Sequence, residues 1–190
     1  DGSEAYPLML NFHTDGGSAQ NHFAYADMTD LADTHGFILI YPQGLPLGDS
    51  SSHWNFDPIG GDNKSTVEDF GFVDALLDNL STNYQIDRDR VYATGFSSGG
   101  AFAFGLACYR SENIAAIVSV SGSMSPTHQE SCNPQHPTSV MSIHGTQDYV
   151  WPYLGGNYML SMDEVTNYWT SYNQTQTTQP TETVTYDGLI

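Results

Sequence analysis

Ser97 stands in the run Gly95-Phe96-Ser97-Ser98-Gly99-Gly100, a G-x-S-x-G pattern between a strand-like stretch ending at Thr94 and a helix-like one. A serine so placed is suited to attack a carbonyl, because a very tight strand-to-helix turn flanked by small residues holds its hydroxyl exposed in a strained conformation. The Ser98 amide, at the positive end of the following helix, then becomes one oxyanion donor. A second donor is expected from Phe12-His13-Thr14-Asp15-Gly16-Gly17, whose glycines let amides near Thr14 and Asp15 point into the site. His13 itself reads as a structural loop histidine, since nothing there requires a second base. The third element is His144-Gly145-Thr146-Gln147-Asp148. Asp148, in the chain order Ser then Asp, suits the carboxylate that orients a base, while His144 is expected to brace the loop.

These residues need a scaffold that brings separate loops together. Pro7–Phe12, Gly36–Tyr41 and 114–120 read as buried parallel strands, with Arg90–Thr94 and Ser139–Ile143 as two shorter ones. Helical spacing links Val67, Phe70, Val73, Leu77 and Leu80, and Phe23–Thr34, Ala101–Tyr109 and Met162–Tyr172 also read as helices. Alternating strands and helices imply a mostly parallel sheet covered on both faces, with chemistry on the loops leaving the carboxyl ends of its strands.

With 190 residues, 39% of them hydrophobic, the chain is expected to be one domain spanning 1–190 and is poorly described as disordered. Only 4 Lys and Arg, including the single lysine Lys64, stand against 22 Asp and Glu, for a net charge of −18. Nucleic acid and anionic membranes are therefore poor partners, since little is available to neutralise phosphates. The acidity is scattered and reads as a solvated surface. The histidines show no zinc-ligand spacing and the Asp residues no calcium loop, so neither metal nor cofactor is expected. Cys108 and Cys132 suit either a disulfide or two buried thiols, and the composition suits export.

Taken together, the motifs resemble the extracellular α/β-hydrolases grouped as polyhydroxybutyrate depolymerase-like and feruloyl esterase-like enzymes, relatives of carbohydrate esterase family 1. The resemblance is carried by Phe12–Gly17, Ala32–Phe37 running into Tyr41-Pro42-Gln43-Gly44, Asp69-Phe70-Gly71-Phe72, Ile86–Ser97, and His144–Asp148 followed by Pro152-Tyr153. It implies an α/β-hydrolase fold with Ser97 as nucleophile, Asp148 as triad acid, and an oxyanion hole from the backbone of Asp15 or Thr14 and of Ser98. It also implies a Cys108–Cys132 disulfide and a secreted serine esterase acting on small or polymeric esters: feruloyl or acetyl esters of plant polysaccharide, or polyhydroxyalkanoates.

Three positions depart from the family pattern. Thr14 replaces the usual glycine after the loop histidine, and Ser98 stands where Asn or Ala is commoner. The family's catalytic histidine turn has no counterpart, although Thr181–Tyr186 looks like the approach to its strand. The family's first strands, ahead of Pro7, are also absent. Because the Ser97 hydroxyl is a poor nucleophile without an imidazole, the native protein is expected to continue past Ile190 and supply the base. His128 and His136 are the weaker alternatives. Trp54 (with Phe56), Trp151 and Tyr153 could form an aromatic substrate rim, or simply fill packing space. A rival reading is a non-catalytic carbohydrate- or polymer-binding relative without a base.

Overall fold

The computed structural model describes residues 5–48, 51–58 and 63–175. Five strands, β1 (Tyr6–Phe12), β2 (Ile38–Ile40), β3 (Ile86–Phe96), β4 (Ala116–Val120) and β5 (Ser139–Ile143), form one sheet in the order β2-β1-β3-β4-β5. Every pairing is parallel. The helices are α1 (Ala19–Tyr25), α2 (Thr29–His35), α3 (Asp69–Asn83), α4 (Ser98–Tyr109), α5 (Pro126–Ser131) and α6 (Met162–Tyr172).

Alternation along β1 sorts the helices onto two faces. Leu8, Leu10 and Phe12 are fully buried in a core shared with Val73 and Leu77 of α3 and Phe102 and Leu106 of α4. Phe12 meets Phe102 edge-on at 5.0 Å and Trp54 at 5.2 Å, and Trp169 of α6 stacks on Phe104 of α4 at 6.5 Å. Asn11 points the other way and accepts from His22 of α1 at 2.7 Å. On that second face β5 leaves Met141 56% and Ile143 49% exposed.

Strand order explains where a site can form. From β1 the chain steps to β2 on one side, then returns to build β3, β4 and β5 on the other. The connections after β1 and β3 therefore diverge to opposite sides, opening a crevice at the carboxyl ends of those two strands.

Local chemistry modifies several expectations. Phe23–Thr34 is not one helix: α1 stops at Tyr25, and ahead of α2 the Asp27 carboxylate accepts from both the amide (2.8 Å) and hydroxyl (2.6 Å) of Thr29 in a local turn. Of Gly36–Tyr41 only Ile38–Ile40 pairs, and as an edge strand it is half-buried rather than buried. β5, the opposite edge, is largely exposed. The loop before β5 contains α5, started by a Ser125 side-chain cap and Pro126 in its first turn. α6 falls on Met162–Tyr172, opened by a reciprocal Ser161–Glu164 capping box. A Cys108–Cys132 disulfide, separated by 24 residues, ties the end of α4 to the end of α5; closing such a loop contributes about 3 kcal/mol. Thr181–Tyr186 lies outside the described residues. No helix among the described residues is long and apolar enough to cross a membrane.

Candidate active site

Ser97 occupies the turn between β3 and α4 with φ 58° and ψ −119°. L-residues rarely adopt such a backbone, at a cost on the order of 1–3 kcal/mol. The turn is held in place from both sides: the Ser97 amide donates to Val120 O at 2.8 Å, and Ser97 O accepts from Ala101 N at 3.0 Å. The flanking glycines are steric necessities. A Cβ on Gly95 would lie 2.4 Å from the carbonyl carbon of Gly99, and one on Gly99 would lie 2.3 Å from Phe12 O. The second of these contacts shows how closely α4 starts against the end of β1, and it sets Ser98 beside the loop at residues 13–17.

That loop is shaped by His13, which is fully buried. Gly44 N donates to His13 Nε2 at 3.0 Å, so the proton sits on Nδ1, which donates to Thr14 O at 2.7 Å. Burial holds the His13 pKa below the usual histidine value, which preserves this neutral tautomer. Trp54 Nε1 donates to His13 O at 3.0 Å, Gly16 N to Ser52 O at 2.7 Å, and Gly17 N to Thr14 O at 3.0 Å. Lys64 pairs with the Asp15 carboxylate. The amides of Thr14, Asp15 and Ser98 have no hydrogen-bond acceptor among the described residues.

Asp148 organises the loop after β5. Its Oδ1 accepts from the amides of Val150 and Trp151, both at 2.9 Å. The Trp151 amide is the main cause of a pKa below the ordinary carboxylate value. His144 Nε2 donates to Trp151 O at 2.7 Å and lies 3.8 Å from Asp148 Oδ2, which fits the bracing role read from sequence. With both its N–H and its C=O pinned, Trp151 turns its indole toward the turn after β3, where Nε1 donates to Ser97 Oγ at 3.1 Å. Sequence reasoning placed Trp151 at a rim and missed this bond. The available signal was its position three residues after Asp148, where an Asp carboxylate can cap a turn.

The other rim residues divide. Trp54 is only 1% exposed, stacked on Phe102 at 5.2 Å, so it belongs to the core and not to a surface rim. Its indole needed a buried acceptor, and His13 O supplies one. Tyr153 is half-buried against the core, 6.1 Å from the His144 ring. Phe56 packs 6.3 Å from Trp151 and also lines a cavity of about 430 Å³ between the loops that follow β4 and β5.

None of the seven imidazoles hydrogen-bonds Ser97. Besides His13 and His144, His22 bonds Asn11 and Tyr25, His53 bonds Leu45 O and Ser65, and His35 is exposed at the end of α2. His128 is fully buried against Phe56 O, 3.7 Å from Asp57, with its pKa lowered by burial. His136 bonds Pro137 O ahead of β5, at the opposite end of the strand from the Asp148 loop. Among the described residues no group of three or more His, Cys, Asp or Glu is placed to hold a metal ion.

A parallel sheet with helices on both faces and a serine at the strand-to-helix turn beside its switch point defines the α/β-hydrolase class. The model of the phospholipase/carboxylesterase family matches residues 51–183, and the chain belongs to that family. It is 33% identical over 153 residues to NocK of Nocardia uniformis subsp. tsuyamanensis, an esterase by name, covering 80% of this chain and 43% of that protein. It is 31% identical to the bifunctional acetylxylan esterase/xylanase XynS20E of Neocallimastix patriciarum, covering 77% of this chain and 20% of the other. To feruloyl esterase B of Piromyces equi it is 28% identical, covering 82% and 28%. The chain thus spans less than half of each of these relatives. Its fold superposes on the Bacillus cereus carboxylesterase with a TM-score of 0.65 at 19% identity, covering 91% of this chain and 76% of that one.

Proposed function

We propose that the chain carries the catalytic core of a secreted serine carboxylic-ester hydrolase working through an acyl-enzyme. The observation that carries this reading is the Ser97 turn: a strained, half-buried serine beside three unused amides, those of Thr14, Asp15 and Ser98, able to receive a developing oxyanion. In the proposed step, Ser97 Oγ bonds to the ester carbonyl carbon and yields its proton to an imidazole base. The alcohol then departs with a proton, and water releases the acid. Asp148, kept ionised by its amide partners, would orient that base. Because the seven imidazoles of this chain have other places in the structure, the proposed step calls for an imidazole brought to Ser97 from outside them. The names of the relatives favour feruloyl or acetyl esters of plant polysaccharide, with polyhydroxyalkanoate-type polyesters as the further candidate.

The test is labelling with a fluorophosphonate, located by peptide mass spectrometry, together with hydrolysis of p-nitrophenyl acetate, methyl ferulate and a hydroxybutyrate oligomer. Labelling at Ser97 that is lost in Ser97→Ala is expected. An intact Ser97 with no turnover, in the presence of added imidazole, would favour the rival reading, a polymer-binding relative without a base, which rests on no imidazole among the described residues hydrogen-bonding Ser97.

A further inference from the structure

The contact between Trp151 and Ser97 is an acid-loop side chain reaching the atom that would react. The indole N–H can only donate, so the bond engages a lone pair of Oγ and leaves the serine proton free for a base. Its position is not incidental to side-chain rotation. The Trp151 amide is anchored on Asp148 Oδ1 at 2.9 Å, its carbonyl on His144 Nε2 at 2.7 Å, and its ring packs against Phe56. The residue therefore joins the end of β5 to the turn after β3 through three hydrogen bonds.

We infer that Trp151 is a further catalytic residue, whose indole N–H stabilises negative charge on Ser97 Oγ. This rests on the reading of Ser97 as nucleophile. Oγ gains negative charge twice: as it loses its proton and forms the bond to the acyl carbon, and again as that bond breaks and Oγ takes back a proton during release of the acid. A fixed N–H donor 3.1 Å away favours both moments and needs no reorganisation to do so. It acts on the nucleophile, separately from the amides of Thr14, Asp15 and Ser98, which the proposed function assigns to the carbonyl oxygen.

Two arms test the inference. In the first, fluorophosphonate labelling of Ser97 is timed, in the presence of added imidazole as the base, in the unmodified chain and in Trp151→Phe, which keeps an aromatic ring but lacks the N–H. About a tenfold slower labelling is expected, the scale of one hydrogen bond. Equal or faster labelling in Trp151→Phe would overturn the role. No labelling of the unmodified chain would remove the nucleophile reading and this role with it. In the second arm, which does not require the variant at 151 to fold, the three tryptophan indole N–H signals are followed by NMR. Ser97→Ala is expected to move the Trp151 signal upfield and leave those of Trp54 and Trp169, bonded to His13 O and Met124 Sδ, in place. A Trp151 signal that does not move would show that the bond is not made in solution and would equally overturn the inference.

Discussion

The turn after β3 and the loop after β5 lie at the same end of one sheet, yet they are built differently. β3 is paired on both sides, and its turn is shaped by backbone against backbone: Gly95 against Gly99, Gly99 against Phe12 O, and Gly122 against Ser97 O. β5 is an edge strand, and its loop leaves Tyr149 91% and Leu154 83% exposed. There, shape comes from side chains bonding to backbone: Asp148 to two amides, and His144 to a carbonyl. A turn made of close backbone contacts tolerates no added atom, whereas a loop held by one carboxylate and one imidazole can be loosened one bond at a time.

The sharpest test of this contrast is a pair of identical substitutions. Gly99→Ala puts a methyl 2.3 Å from Phe12 O and should cost about 3 kcal/mol by urea denaturation. Gly156→Ala, with nothing within 4 Å of its Cβ, should stay within about 0.5 kcal/mol. Similar losses at both sites would remove the distinction.

pH separates the two regions next. Burial lowers the pKa of His13 and His128 and takes His22 to about 4. Each is lower folded than unfolded, so its stabilising contribution is complete above about 6.5 and is lost as pH falls toward the folded value. Unfolding should therefore take up protons across that range, read from the pH dependence of the urea midpoint. Asp148, lowered by its amide partners, should contribute only at lower pH: present above its unfolded value, near 3.8, and lost as pH falls through the folded one.

Removing the acid-loop anchor with Asp148→Ala should cost about 1–2 kcal/mol for two lost bonds and shift the fluorescence of Trp151. Ser97→Gly should act oppositely. It relieves the strain at φ 58°, so stability should rise by about 1 kcal/mol while probe labelling disappears. The smallest effect is expected for Lys64→Met. Its pair with Asp15 is half-exposed, so stability should change by less than about 1 kcal/mol, and a visible change in labelling rate would show that the pair positions the 13–17 loop.

Much of the Ser97 turn was legible because its constraints are local. A strand that must reverse into a helix within one residue requires glycines at fixed offsets, and Gly95 and Gly99 declare it. The separation of His13 as a structural histidine followed from the same local logic, and its two backbone bonds agree with it. Trp54 and Trp151 were harder, since both looked like candidate rim aromatics. One lies in the core and the other against Ser97, and nothing in their immediate sequence separates a tryptophan that meets a buried carbonyl from one that meets a hydroxyl. The break between α1 and α2 goes with Asp27, whose carboxylate bonds back to Thr29 and was hidden inside an otherwise helical pattern.

From the sequence alone came the alternation of strands and helices, the tight turn at Ser97 and the carboxylate after a late strand, because periodicity and turn chemistry act over a few residues. Tertiary structure decided which segments became edges, that the seven imidazoles bond elsewhere or lie exposed, and that Trp151 donates to Ser97 across 54 positions of chain. Such contacts depend on strand order and on competition among buried donors for acceptors, and that competition is settled only when the sheet is assembled.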